Sequence, residues 1–311
     1  MFRKILVPID NSEESRTILR WAVGLAKATK SDLTLLSVVD TEDIQIVAAG
    51  PHGEVLPTAP AGAITQISEQ VEAGLEAEAV ELRRTGIEIN VKVVAGSPAE
   101  SIVAQANAIG VDLIAMSTRR ESALARGILG SVTDRVLHST SVPLLILQPE
   151  DLTDESLGSG FVRHIVVPLD GSTVSESAVA PASELASATG AELVFTEVVK
   201  IPAYGMEMGS LGYGAAHYAE ELDTKVQEQD AARYLQGFVE NAESAGLKAR
   251  AQVRVGNPSV QIVDEASAEG SIVVMATHGA GGIKRWVVGS VTDKAVRSAH
   301  RPVLVIPPEA A

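Results

Sequence analysis

Between residues 276 and 291 the chain reads Ala276-Thr277-His278-Gly279-Ala280-Gly281-Gly282-Ile283-Lys284-Arg285-Trp286-Val287-Val288-Gly289-Ser290-Val291. Glycine lets backbone N–H groups approach an anion closely, and Gly289-Ser290 stands where a helix should open, with unpaired N–H donors and the positive end of a helix dipole. Ser290 adds a hydroxyl donor at the same terminus. The chemistry on offer is the wrapping of an anion. Taken alone, Gly-Ser before a helix is an ordinary capped helix start, and His278 is an ordinary loop histidine.

Other site chemistries find little support. The chain has no Cys, which excludes disulfides, thiolate metal sites and a Cys nucleophile. The remaining histidines, His52, His138, His164, His217 and His300, lack the spacing of metal ligands, so no metal site is expected. There is no Gly-x-x-x-x-Gly-Lys-Ser/Thr, no Gly-x-Gly-x-x-Gly at the first strand–helix turn and no Gly-x-Ser-x-Gly. A net charge of −15 opposes general affinity for nucleic acid or an anionic membrane surface. No apolar run approaches the ~20 residues that span a bilayer, and the start of the chain lacks the pattern of a secretory signal, so a cytoplasmic protein is expected.

The elements that position these residues come twice. Lys4-Ile5-Leu6-Val7-Pro8-Ile9-Asp10 recurs as His164-Ile165-Val166-Val167-Pro168-Leu169-Asp170, and Gly130-Ser131-Val132-Thr133-Asp134 recurs letter for letter as Gly289-Ser290-Val291-Thr292-Asp293. Val142-Pro143-Leu144-Leu145-Ile146 is matched by Arg301-Pro302-Val303-Leu304-Val305. A duplication predicts domains over 1–149 and 161–311, with a short linker over 150–160 where Pro, Gly and acids break all periodicity. So short a linker predicts that the halves pack against each other.

Each half alternates strand and helix. In the first, a strand from Ile5 precedes a helix over 12–30, then a strand over 33–39, a long helix ending near Gly86, a strand over 89–94 and a turn at Gly96-Ser97-Pro98. Ser97 is expected to cap the next helix, with Pro98 in its first turn, and Gly256-Asn257-Pro258 repeats the event. Fourth strands are expected over 111–116 and 272–275. The strands are nearly continuous Val, Ile and Leu, which predicts an α/β fold of two doubly wound parallel sheets, with aliphatic cores because aromatics are only 3%. Ligands of such sheets sit beyond the carboxyl ends of the strands where the strand order reverses. Asp10 and Asp170 end the first strands, Val38 and Val198 the second, and Met275-Ala276 the fourth of the second half. For both aspartates the simpler role is to cap the following helix.

With these residues placed, the whole chain resembles the universal stress protein family, whose signature is Gly-x-x-Gly, nine residues, then Gly-Ser or Gly-Thr. The second half has Ala276-Thr277-His278-Gly279, nine residues, then Gly289-Ser290, with Ala replacing the first Gly. The resemblance implies five-stranded sheets of order 3-2-1-4-5, like those of adenine nucleotide alpha hydrolases, and binding of ATP or AMP, with Mg2+ accompanying ATP. It places Asp170 and Val198 against adenosine and Gly279, Gly289 and Ser290 around phosphate. Pro168, Leu169, Met275, Ala276, His278 and Val291 adjoin these positions. The corresponding first-half site is Pro8, Ile9, Asp10, Val38, Met116, Ser117, Arg119, Arg120, Gly130, Ser131 and Val132.

The halves differ in the loop. The first has Ser117-Thr118-Arg119-Arg120, without either signature glycine, so asymmetric binding favouring the second half is expected. Arg119 and Arg120 either pair with phosphate or are solvated loop charges. The segments 50–53 and 201–214 are lids or plain surface loops. The family further implies a stress-response protein acting through a protein partner, with a slow ATPase and a nucleotide-free interaction module as the other readings. It also implies that the fifth strands, 143–147 and 302–306, pair in an internal pseudo-dimer, with a homodimer beyond that. Solution scattering from two separated lobes would refute the internal pairing.

Overall fold

The computed structural model describes residues 2–10, 12–41, 62–118, 129–148, 161–200, 213–277 and 288–308. It divides into two compact units, one running to Gly158 and the next starting at Ser159. The first contains β1 (Lys4–Pro8), α1 (Glu13–Thr29), β2 (Asp32–Asp40), α2 (Ala63–Arg83), β3 (Ile89–Gly96), α3 (Pro98–Ile109), β4 (Leu113–Ser117), α4 (Ser131–Ser139) and β5 (Leu144–Leu147). The strands lie in the order β3-β2-β1-β4-β5, and every pairing is parallel.

The second unit contains β6 (His164–Pro168), α5 (Thr173–Glu176), α6 (Val179–Thr189), β7 (Glu192–Val199), α7 (Tyr213–Ser244), β8 (Ala249–Val255), α8 (Pro258–Glu265), β9 (Ser271–Ala276), α9 (Ser290–Ser298) and β10 (Val303–Ile306). Its order, β8-β7-β6-β9-β10, is the same winding, again wholly parallel. In each unit the order reverses beside the first strand, between β1 and β4 and between β6 and β9.

Burial explains the unbroken aliphatic runs. Ile5, Leu6 and Val7 of β1 and Ile165, Val166 and Val167 of β6 are almost fully excluded from solvent, as parallel strands covered on both faces must be. Each such side chain contributes roughly 1.5–3 kcal/mol of burial. Pro143 and Pro302 stand just before β5 and β10 and only accept there: Ile114 N–H bonds Pro143 C=O at 2.9 Å and Val273 N–H bonds Pro302 C=O at 3.0 Å.

The structure revises three local expectations. The fourth strand of the first unit starts at Leu113 and not at Val111; just before it Asp112 N–H bonds Lys4 C=O at 2.9 Å, and the Asp112 carboxylate accepts from the N–H groups of Arg3 (2.8 Å) and Lys4 (3.0 Å). Ser97 occupies the N-cap of α3 but makes no side-chain capping bond, whereas Asn257 accepts from Ser259 N–H at 3.1 Å and caps α8. The first helix of the second unit is broken between α5 and α6. Pro181 has no N–H to give to Ser177 C=O, and the chain closes the gap with tighter bonds from Ser177 N–H to Val174 C=O and from Ala178 N–H to Ser175 C=O.

Candidate functional site

The turn after the first strand is built identically in the two units by Asp-x-Ser-x-x-Ser. Ser12 is the N-cap of α1 and accepts from Ser15 N–H at 3.1 Å; Ser172 caps α5 and accepts from Ser175 N–H at 3.1 Å. The aspartates are therefore not the caps. Asp10 Oδ1 accepts from both the N–H and the hydroxyl of Ser12, and Asp170 Oδ1 from both donors of Ser172. Ser15 and Ser175 complete the turn by accepting from the N–H of Asp10 (3.3 Å) and Asp170 (3.2 Å). Two exposed carboxylates are thus held in fixed orientation at the mouth of the switch point.

Pro8 and Pro168, which precede these turns, are half-buried, whereas Ile9 and Leu169 are buried. The N–H groups of Ile9 and Leu169 bond Leu36 C=O and Thr196 C=O, each at 2.8 Å, continuing the sheet to the foot of the turn. Val38 and Val198 are half-buried near the ends of β2 and β7.

At the fourth strand, Met116, Met275 and Ala276 are buried and Ser117 is half-buried. Ala276 keeps an ordinary backbone: among the described residues Lys30 is the only non-glycine with positive φ. Alanine therefore fits where the signature has its first glycine.

Gly130 and Gly289 are the N-caps of α4 and α9. Their dihedrals, φ −57° ψ 145° and φ −63° ψ 149°, are open to any residue, so backbone freedom does not explain glycine there. In the second unit the helix start is clamped to the strand it follows: Gly289 N–H bonds Thr277 C=O at 2.6 Å and Thr292 Oγ1 donates to Ala276 C=O at 2.9 Å. In the first unit Thr133 Oγ1 reaches Ser117 C=O at 3.4 Å, a weaker version.

The first bond of the α9 ladder runs from Asp293 N–H to Gly289 C=O at 2.8 Å. The amides of Ser290, Val291 and Thr292 precede that ladder and form the donor set of the helix mouth. Ser131 and Ser290 are exposed at these mouths, and Val132 and Val291 half-buried beside them. Arg119, Arg120, His278 and Gly279 lie outside the described residues, as do 50–53 and most of the loop 201–214.

Sequence reasoning missed the two serines of each Asp-x-Ser-x-x-Ser turn and the threonines Thr133 and Thr292. All were visible as letters shared by the halves. It also missed an acidic group found only in the second unit. Tyr234 on α7 donates to Glu176 Oε1 on α5 at 2.9 Å. Burial, the bond to Glu176 and the charges of Glu176, Glu197 and Asp170 all hold the Tyr234 hydroxyl well above its ordinary proton affinity. Burial, and then the charge of Asp170, push Glu197 above the usual carboxylate range. Nothing in the local sequence joins β7 to a helix tens of residues downstream.

Among the described residues no helix is long and apolar enough to cross a membrane, and no group of three or more His, Asp or Glu is placed to hold a metal ion.

Comparison with known proteins agrees with this architecture. A universal stress protein of Mycolicibacterium smegmatis is 26% identical over 307 residues, covering 98% of this chain and 97% of its own. Universal stress protein Rv2005c of Mycobacterium tuberculosis is 26% identical over 313 residues, covering 97% and 96%. The crystal structure of a universal stress protein from Archaeoglobus fulgidus shares the fold with a TM-score of 0.66 at 23% identity, covering 98% of this chain and 96% of that one. The profile of the universal stress protein family matches residues 1–148 and again residues 162–307, so the chain belongs to the universal stress protein family, with one copy of the family's domain in each half.

Proposed function

We propose that the chain binds an adenine nucleotide, ATP or AMP, in its second unit, and that the first unit binds it weakly or not at all. The observation that carries this reading is the juxtaposition of Asp170 with the Gly289-Ser290 helix start. They leave the adjacent parallel strands β6 and β9 on the two sides of the switch point. An oriented carboxylate there suits the hydroxyl and amino donors of a nucleoside, and the amides of Ser290, Val291 and Thr292 suit a phosphate. Val198 would lie against the base, and Gly279 and His278 would belong to the loop over the phosphates. Mg2+ is proposed only as the companion of the phosphate chain of ATP, and no residue is assigned to it.

In this reading the protein acts in the cytoplasm in a stress response, and nucleotide occupancy alters a surface that a protein partner reads. ATP turnover is slow at most, because the sequence has no Gly-x-x-x-x-Gly-Lys-Ser/Thr and hence no P-loop lysine. Steady-state turnover near the ~10 s⁻¹ typical of enzymes, lost in Gly289→Asp, would overturn that part.

Mass spectrometry of the supernatant from purified, heat-denatured protein tests the reading directly. Adenine nucleotide in stoichiometric amount is expected. Its absence, together with no heat of binding on titration with ATP or AMP, would overturn it.

A further inference from the structure

Side chains of a strand alternate between faces, so Phe195 and Glu197 of β7 point to the same side of the sheet. That side is covered by α7. Phe195 packs against Phe238 with ring centroids 5.6 Å apart, and Tyr234 stands edge-on to Phe238 at 5.1 Å. Glu197 is half-buried, and its Oε2 is shut off from solvent with no hydrogen-bond partner among the described residues. The titratable groups around it are Asp170 at the end of β6, Glu176 on α5 and Tyr234 on α7. Its neighbour in register on β8 is Val253, and Arg254 beside that is bonded to Glu265 on α8. In the first unit the residue at this point of the second strand is Ser37.

We propose that Glu197 is a proton-binding site that makes nucleotide occupancy of the second unit rise as pH falls, a coupling the first unit lacks. The inference rests on the nucleotide reading above. An ionised Glu197 sets a second negative charge against Asp170. A protonated Glu197 removes that charge from a buried oxygen that no hydrogen bond stabilises among the described residues. An anionic ligand nearby favours the protonated form, so ligand and proton each strengthen the binding of the other by the same factor.

Two measurements on the full chain test it. Without ligand, carbon NMR of the Glu197 carboxyl is expected to give a titration midpoint above that of the other glutamates, falling in Asp170→Asn. A midpoint within the ordinary glutamate range, or one unmoved by Asp170→Asn, overturns the proposal. With ATP as probe, calorimetry between about pH 7.5 and about pH 5 should show affinity for the second unit gaining about threefold to tenfold more in wild type than in Glu197→Gln. The titration of the phosphate itself, near pH 6, is common to both proteins and cancels in that ratio. Glu197→Ser, which installs the first unit's residue, serves as the second variant and should match Glu197→Gln. ATP binding with the same pH curve in all three proteins overturns the coupling while leaving the nucleotide reading intact. A raised Glu197 midpoint with no ATP bound at any pH overturns the nucleotide reading, and the coupling with it.

Discussion

In the first unit Arg16 of α1 reaches Glu78 of α2 at 3.8 Å; in the second, at an offset of 160 residues, the corresponding positions hold Glu176 and Phe238, and the tie is made instead by Tyr234 to Glu176. Each unit thus fastens its long helix to the helix that starts beside the first-strand aspartate, one with an exposed ion pair and the other with a hydrogen bond on an aromatic base. The remaining substitutions go together. Leu35, Ser37 and Gly74 of the first unit become Phe195, Glu197 and Tyr234 of the second. The turn that orients the aspartate is the same in both units, so what differs is the charge and bulk packed behind it. A duplicated backbone has kept one geometry and given it two electrostatic settings.

The largest expected effect comes from the aromatic base. Phe195 is fully buried, and Phe195→Ala should cost about 3–5 kcal/mol, lowering the unfolding transition of the second unit while that of the first stays in place. Calorimetry of the full chain separates the two; an equal shift of both would break the comparison.

Next comes the ionic cluster on β8. Glu265 has a side chain only 4% exposed and accepts from Arg250 (2.8 Å) and Arg254 (2.8 Å). Burial alone would raise its proton affinity, but the hydrogen bonds from Arg254 and Arg250 hold it below the usual carboxylate range. A depressed acid contributes stability that is present above its unfolded pKa and lost as pH falls through its folded one. Glu265→Gln should therefore cost about 1.5–3 kcal/mol at neutral pH and progressively less in acid. The first unit has Gln105 at this position, with a buried Oε1 that finds no partner among the described residues, so Gln105→Glu should not stabilise it: neither Asn90 nor Val94 supplies the arginines. Glu197 has the opposite sign. Its raised pKa means the folded state binds the extra proton, so stability falls as pH rises from the ordinary glutamate value through the folded pKa. Glu197→Gln should stabilise the second unit near neutrality and lose that advantage in acid; a pH-independent difference in Tm would contradict the assignment.

The smallest effects are single contacts. Tyr234→Phe keeps the ring packing and removes the bond to Glu176, for about 0.5–1.5 kcal/mol, whereas Arg16→Ala should cost under about 1 kcal/mol. The helix ends differ likewise: Lys30 closes α1 at φ 56° where Gly190 closes α6 at φ 75°. Lys30→Gly should stabilise the first unit by about 1 kcal/mol, read as a rise in its Tm.

The strands were legible because burial on both faces forces unbroken aliphatic runs, and the duplication exposed both domains. The Gly289-Ser290 helix start was legible too, since a cap is a local event. Ser97 failed as a side-chain cap although its neighbour is Pro98, which shows that residue type at a cap position does not fix the side-chain rotamer. The break after α5 follows from Pro181, which stands where the first unit has Trp21 inside a continuous helix. Glu197 and Tyr234 stayed invisible because their meeting depends on how α7 lies on β7, a tertiary fact no periodicity records.

The proposed difference in nucleotide binding between the two units is read by titration calorimetry of the full chain with ATP, using Gly289→Asp in the second unit against Gly130→Asp in the first. Each substitution sets a carboxylate at a helix mouth, where like charge against phosphate should weaken binding about tenfold or more. One strong site is expected, lost in Gly289→Asp and retained in Gly130→Asp. Two sites of equal affinity, each removed by its own substitution, would contradict it.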